Sequence, residues 1–240
     1  MPDILTAPLI LARGVHKAFG VDRQRIKVLE GAGLGIAQGE VVFLVGPSGS
    51  GKSTLLSILG CLLSPDAGSV RLFGEEVSAL SPRERAAFRR ERLGFIFQTF
   101  NLLPNLSALD NVALCLVLRG VSHRAAQQRA LGLLDQVGLS ERVHLRPPLL
   151  STGECQRVAI ARGLSNQPAI VFADEPTASL DAANGQAIML LLTRLVKEQG
   201  MTLVVVTHDN RIEAFADRIL HLEKGRLIRS SRPPRQRLRA

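Results

Sequence analysis

Residues 46–53 read GPSGSGKS, directly after the apolar run VVFLV and directly before STLLSIL. A strand, a glycine-rich turn and a helix in that order make the P-loop pattern, which dictates how the chain around it must fold. Its glycines let successive backbone N–H groups turn inward around the β- and γ-phosphates of a nucleoside triphosphate, and the helix N-terminus adds its dipole. Lys52 is placed to neutralise those phosphates, and the Ser53 hydroxyl to ligate Mg2+. The nucleotide-binding residues expected here are Gly46, Pro47, Ser48, Gly49, Ser50, Gly51, Lys52, Ser53 and Thr54. The plainer alternative, a glycine-rich turn with a capping serine, requires neither this spacing nor these flanks.

Strand-like and helix-like stretches alternate through most of the chain. Runs rich in β-branched residues occur at PLILARGV near the start, EVVFLVG (40–46), SVRLFG (69–74), LGFIFQ (93–98), AIVFAD (169–174) and TLVVVTH (202–208), and each reads as a strand. Ile188, Leu191, Leu192, Leu195 and Val196 recur at helical spacing, with Gly200 closing that helix before the next strand. The alternation implies an α/β fold with a largely parallel central sheet. From about 99 to 165 it gives way to helices expected at 107–119, 123–137 and 154–165, which reads as a helical insertion. Near the end, RILHLEKGRLIRS reads as two short strands around a Lys-Gly turn.

The 240 residues, 46% of them apolar, furnish a core for one large domain or a domain with an inserted subdomain. The formal charge is +9, but residues 224–240 hold Lys224 and six arginines with no acid, which leaves +2 for the rest. The tail RSSRPPRQRLRA has little to bury and is expected to be disordered from about residue 230. A solvated terminus, contact with anionic lipid headgroups and contact with nucleic acid all suit such a charge run. Trp and Tyr are absent, which removes the usual base-stacking platforms, so no specific nucleic-acid partner is expected. Cys61, Cys115 and Cys155 are too few and too scattered for a zinc site or a disulfide framework, and their odd number suits a reducing compartment. MPDILTAPLILARG has an acid and prolines where a signal peptide needs a basic start and an unbroken apolar run, and no segment approaches 18 uncharged apolar residues. A soluble, cytoplasmic chain is therefore expected.

Further candidates end other strands. Asp174 and Glu175 close AIVFADEP, at the carboxyl edge where open α/β sheets bind ligands. One carboxylate there can hold the Mg2+ shell while the next orients an attacking water. His208 follows LVVVT and Gln98 follows LGFIF, so both are expected at that same kind of edge. His16, His123, His144 and His221 have no such placement and read as structural.

In order, GPSGSGKS, Gln98, LSTGE, FADEPTASLD and VTHD resemble the nucleotide-binding subunit of ATP-binding cassette (ABC) transporters, over about residues 8–229. ILGCLLSPDAG, LGFIFQTFNLLPNLSALDNV and VTHDNRIEAFADRI look most like the group that includes LolD, MacB and FtsE, and DevA-type exporters are also similar. The resemblance implies a RecA-like P-loop NTPase core with a mostly parallel sheet, an N-terminal antiparallel β part and an inserted helical subdomain. It implies ATP and Mg2+ as ligands. Phe19 corresponds to the aromatic that stacks on adenine, where tyrosine is usual; the ring alone suffices for stacking. Gln98 corresponds to the Q-loop residue that reaches the metal, Asp174 supports Mg2+, Glu175 positions the water and His208 is the switch histidine. Ser179, Leu180 and Asp181 match the loop that crosses a dimer interface. Two copies are expected to close head to tail, each covering the ATP on the other's P-loop. A membrane permease is expected to dock near Gln98–Val112, through Phe100, Leu102, Leu103 and Leu106, and to hold the chain on the inner face of the cell membrane.

The poorest match is Leu150–Glu154, LSTGE where the family has LSGGQ. Ser151 and Gly153 are kept. Thr152 makes any positive φ at that point costly, and Glu154 adds a negative charge unless it turns back to cap the helix. The function implied is an ATPase that drives export or extraction of a hydrophobic, lipid-linked or peptide substrate. Regulation of a non-transport membrane partner, as in FtsE-like cell division, and work on nucleic acid or ribosomes are the alternatives.

Overall fold

The computed structural model describes residues 7–20 and 25–233, in two units: Met1–Arg89 with Thr202–Ala240, and Arg90–Met201. In the first unit β1 (Ile10–Phe19), β2 (Ile26–Ile36), β4 (Ala67–Leu72) and β5 (Glu75–Glu76) form an antiparallel sheet in the order β2-β1-β4-β5. This is the antiparallel part that the resemblance implies, although β2 itself gives little strand signal because IKVLEGAGLGI is broken by three glycines. Beside it in sequence, β3 (Val41–Val45) pairs in parallel with β8 (Thr202–Thr207) and with β9 (Arg218–Glu223). All five residues of β3 are buried, the pattern of a parallel strand covered on both faces. β10 (Arg226–Ser231) returns antiparallel to β9 through Lys224 and Gly225, both at positive φ, so the Lys-Gly hairpin forms as expected. Ser230 and Ser231 thus belong to a strand, where the sequence reading placed the start of the tail; residues 234–240 lie outside the described residues.

The helix α1 (Lys52–Leu59) follows β3, and α2 (Pro82–Arg92) buries only Phe88. In the second unit β6 (Leu93–Ile96) and β7 (Ile170–Asp174) pair in parallel, Leu93 opposite Ile170 and Ile96 opposite Ala173. Between them in sequence come α3 (Ala108–Val117), α4 (His123–Gln136) and α5 (Thr152–Leu164), close to the three helices expected. α6 (Ala182–Glu198) buries Ile188, Met189, Leu192, Leu195 and Val196, and Gly200 at φ 65 ends it. Helix α5 approaches β6 with no side chain intervening: a Cβ on Gly94 would lie 2.3 Å from the Gly163 carbonyl oxygen, and one on Gly163 2.9 Å from that of Phe95.

Candidate functional site

The P-loop is shaped from outside by two strands. A Cβ on Gly46 would lie 2.1 Å from the Leu222 carbonyl oxygen of β9, and one on Gly51, at φ +100, 2.7 Å from that of Val28 in β2. Only glycine fits at either place. The turn of the last hairpin locks the loop further: Gly225 N–H donates to Ser50 O at 3.1 Å, and Glu30 N–H to Gly225 O at 3.0 Å. Gly49 is different, because a Cβ there meets nothing within 4 Å; that side of the loop is open. Lys52 is buried, and its Nζ donates to Gly46 O at 2.8 Å and Pro47 O at 3.0 Å, drawing the loop into a ring. No side chain caps α1, so its first-turn amides are not claimed by a capping group. Ser50 Oγ is buried without a hydrogen-bond partner among the described residues. Glycines at positive φ, an ammonium and an unclaimed helix start fit a polyphosphate and its cation.

Two more expected residues lie in the same unit. Phe19 ends β1 and is 45% exposed, so it is no core phenylalanine. His208 is exposed just past β8. Its neighbour Asp209 accepts from Arg211 Nε and Nη2, both at 2.8 Å, and this pairing holds its carboxyl below the usual aspartate range.

In the second unit β7 delivers Asp174 and Glu175, both half-buried. Glu175 has φ 50, a left-handed conformation that costs a side-chain-bearing residue about 1–2 kcal/mol. The turn that follows holds it, with Ala178 N–H donating to Glu175 O at 3.2 Å. Such a strained acid after a buried strand marks a place where orientation matters more than stability. Ser179 and Asp181 are exposed, and Asp181 caps α6 by accepting from Asn184 N–H at 3.0 Å.

Gln98 is exposed in the turn after β6. Phe100 and Asn101 follow at φ 60 and 51, and Arg162 of α5 fixes both by donating to Phe100 O at 2.6 Å and to Asn101 O. Burial lowers the pKa of that guanidinium from the usual arginine value. Asn111, 2% exposed, stitches the next stretch, accepting from Leu103 N–H at 2.8 Å and donating to the carbonyls of Leu103, Leu106 and Ser107. Neither Arg162 nor Asn111 stood out in the sequence. Of the four apolar side chains expected on a docking surface only Leu103 is exposed, at 46%; Phe100, Leu102 and Leu106 are half-buried, because this stitching turns the loop onto α3.

Leu150–Glu154 opens α5. Ser151 is the N-cap and Glu154 completes a capping box: its carboxylate accepts from Ser151 N–H at 2.8 Å and from Ser151 Oγ at 2.9 Å. Arg142 Nε donates to the same carboxylate at 3.2 Å. These bonds hold the Glu154 carboxyl below its usual range, the backbone bond contributing most. Thr152 is already helical and has no positive φ, so the expected cost does not arise. A Cβ on Gly153 would meet nothing within 4 Å.

The ABC transporter family profile matches residues 29–178. The lipoprotein-releasing system ATP-binding protein LolD of Bacteroides fragilis is 45% identical over 92% of the chain and 100% of its own length. The chain therefore belongs to the ABC transporter family. It is an ATPase of the LolD and MacB type. The macrolide export ATP-binding/permease protein MacB of Photorhabdus laumondii is 44% identical over 93% of the chain, which spans only 34% of that larger protein. A solved ATP-binding cassette, determined as a dimer in a post-hydrolysis state with ADP and Pi, is 41% identical, with a TM-score of 0.87 over 93% of this chain and 98% of that one. In this ABC ATPase no helix among the described residues is long and apolar enough to cross a membrane.

Proposed function

We propose that this ABC ATPase, held on the inner face of the cell membrane by a separate permease, dimerises head to tail on MgATP and drives that permease to export or extract a hydrophobic, lipid-linked or peptide substrate. The full-length match to a lipoprotein-releasing ATPase and the partial match to a macrolide exporter support that substrate class. The observation that carries the dimer is the pair of half-sites in one chain: a closed P-loop ring around Lys52, and a capped helix start whose Gly153 faces open space.

The P-loop amides and Lys52 hold the β- and γ-phosphates, and Phe19 presents its exposed ring to adenine. Ser53, Gln98 and Asp174 are the residues that would hold Mg2+. When bound, the cation neutralises charge on the phosphates and polarises the terminal one. Glu175, oriented by its left-handed backbone, takes the proton of the attacking water, and His208 contacts the terminal phosphate. Ser151, Thr152 and Gly153 present the first turn of α5 to ATP bound by the second copy, with Ser179 and Asp181 alongside. Closure thereby depends on the γ-phosphate, and hydrolysis releases it. The permease docks around Gln98–Val112.

Replacing Glu175 with Gln keeps the shape and removes the base. ATP turnover in this variant is expected to fall by about 100-fold or more, and size-exclusion chromatography with ATP and Mg2+ is expected to show a stable dimer. Rapid turnover with no ATP-dependent dimer would contradict the mechanism.

A further inference from the structure

Beside Phe19 lies a charged cluster outside the P-loop. Lys17 Nζ sits over the Phe19 ring, 5.7 Å from its centroid. Its side chain is only 14% exposed, and its ammonium donates to Asp66 Oδ1 at 2.7 Å. The other carboxylate oxygen accepts from Ala18 N–H and from Arg25 Nη2, each at 2.9 Å. Asp66 therefore fixes the Lys17 head group and the strand that leads into Phe19. The same strands bear on the P-loop, since Phe19 pairs with Ile26 and Val28, two residues further along β2, presses its carbonyl against Gly51.

We propose that Lys17 is a positioning residue for the nucleotide base: buttressed by Asp66, it covers one face of the Phe19 ring and leaves the other for adenine, so that ammonium, ring and base stack in sequence. This rests on the reading of Phe19 as the adenine platform. An ammonium against one face draws on the negative quadrupole of the ring and lessens its repulsion of an electron-rich purine on the other. It also restricts the rotamers of a half-exposed side chain, so less freedom is lost when the base arrives. Phe19 has no hydroxyl through which to be held, and Lys17 supplies that restraint.

Calorimetric titration with ATP and, separately, with inorganic tripolyphosphate tests this, because only ATP carries a base. Lys17→Met is expected to weaken ATP by about two- to fivefold and to leave tripolyphosphate unchanged; Lys17→Arg is expected to retain ATP affinity, and Asp66→Asn to weaken it in the same selective way. Equal losses for both ligands would reduce Lys17 to a structural role, and unchanged or tighter ATP binding would overturn the proposal. Phe19→Leu separates the two readings. If it weakens ATP while Lys17→Met does not, only the role of Lys17 fails; if it leaves ATP affinity intact, the adenine platform itself fails.

Discussion

At the scale of single residues, charge placement explains more than charge count. Asp66 accepts three hydrogen bonds from Lys17, Ala18 and Arg25, and the Lys17 bond contributes most to holding its carboxyl at about 2 rather than 3.8. A carboxyl with a depressed folded-state pKa stabilises the fold above its unfolded pKa, and that contribution is lost as pH falls through the folded value. Asp66→Asn is therefore expected to melt about 2 °C below the parent at neutral pH, with the gap closing between about pH 4 and pH 2. Thermal melts across that range check the sign; a gap that widens in acid would reject it. Glu154 shows the same logic in a residue whose difficulty was visible in the sequence. Its negative charge is absorbed by Ser151 and Arg142. Ser-x-x-Glu makes the serine half of this legible from spacing alone, whereas Arg142, twelve residues back, is brought in by the fold.

At the scale of elements, legibility depended on whether the signal is local. The strands β3, β7 and β8 announce themselves because burial on both faces demands unbroken apolar runs. β2 does not, since three glycines interrupt its apolar pattern. Phe100 and Asn101 take left-handed φ with no glycine to signal it, and their restraint, Arg162, is some sixty residues away. This guanidinium ties the loop after Gln98 to α5, the helix that Ser151 caps. Glycines that look alike in sequence likewise separate by their surroundings. Gly94→Ala drives a methyl into the Gly163 carbonyl and is expected to cost about 2–4 kcal/mol or to prevent folding. Gly153→Ala meets open space, and a better helix former there is expected to hold or raise stability by up to about 1 kcal/mol while weakening ATP-dependent dimerisation. Urea titration of both variants checks the contrast; similar losses for both would mean that Gly153 serves the fold of the monomer.

For the whole molecule, the decisive question is whether each nucleotide is completed by the second copy. Lys52→Ala disables the P-loop and leaves Leu150–Glu154 intact. Gly153→Asp does the reverse, placing a carboxylate where a γ-phosphate would approach. Each variant alone is expected to lose nearly all ATPase activity. Mixed in equal amounts, half of the randomly formed pairs contain one of each. Within such a pair one site combines the two defects, while the other joins an intact P-loop to an intact Leu150–Glu154. The mixture is thus expected to recover a measurable fraction of the parent rate, up to about one quarter. That recovery grows with total protein concentration, because it depends on association. If each chain completed its own site, mixing two defective chains would restore nothing at any concentration.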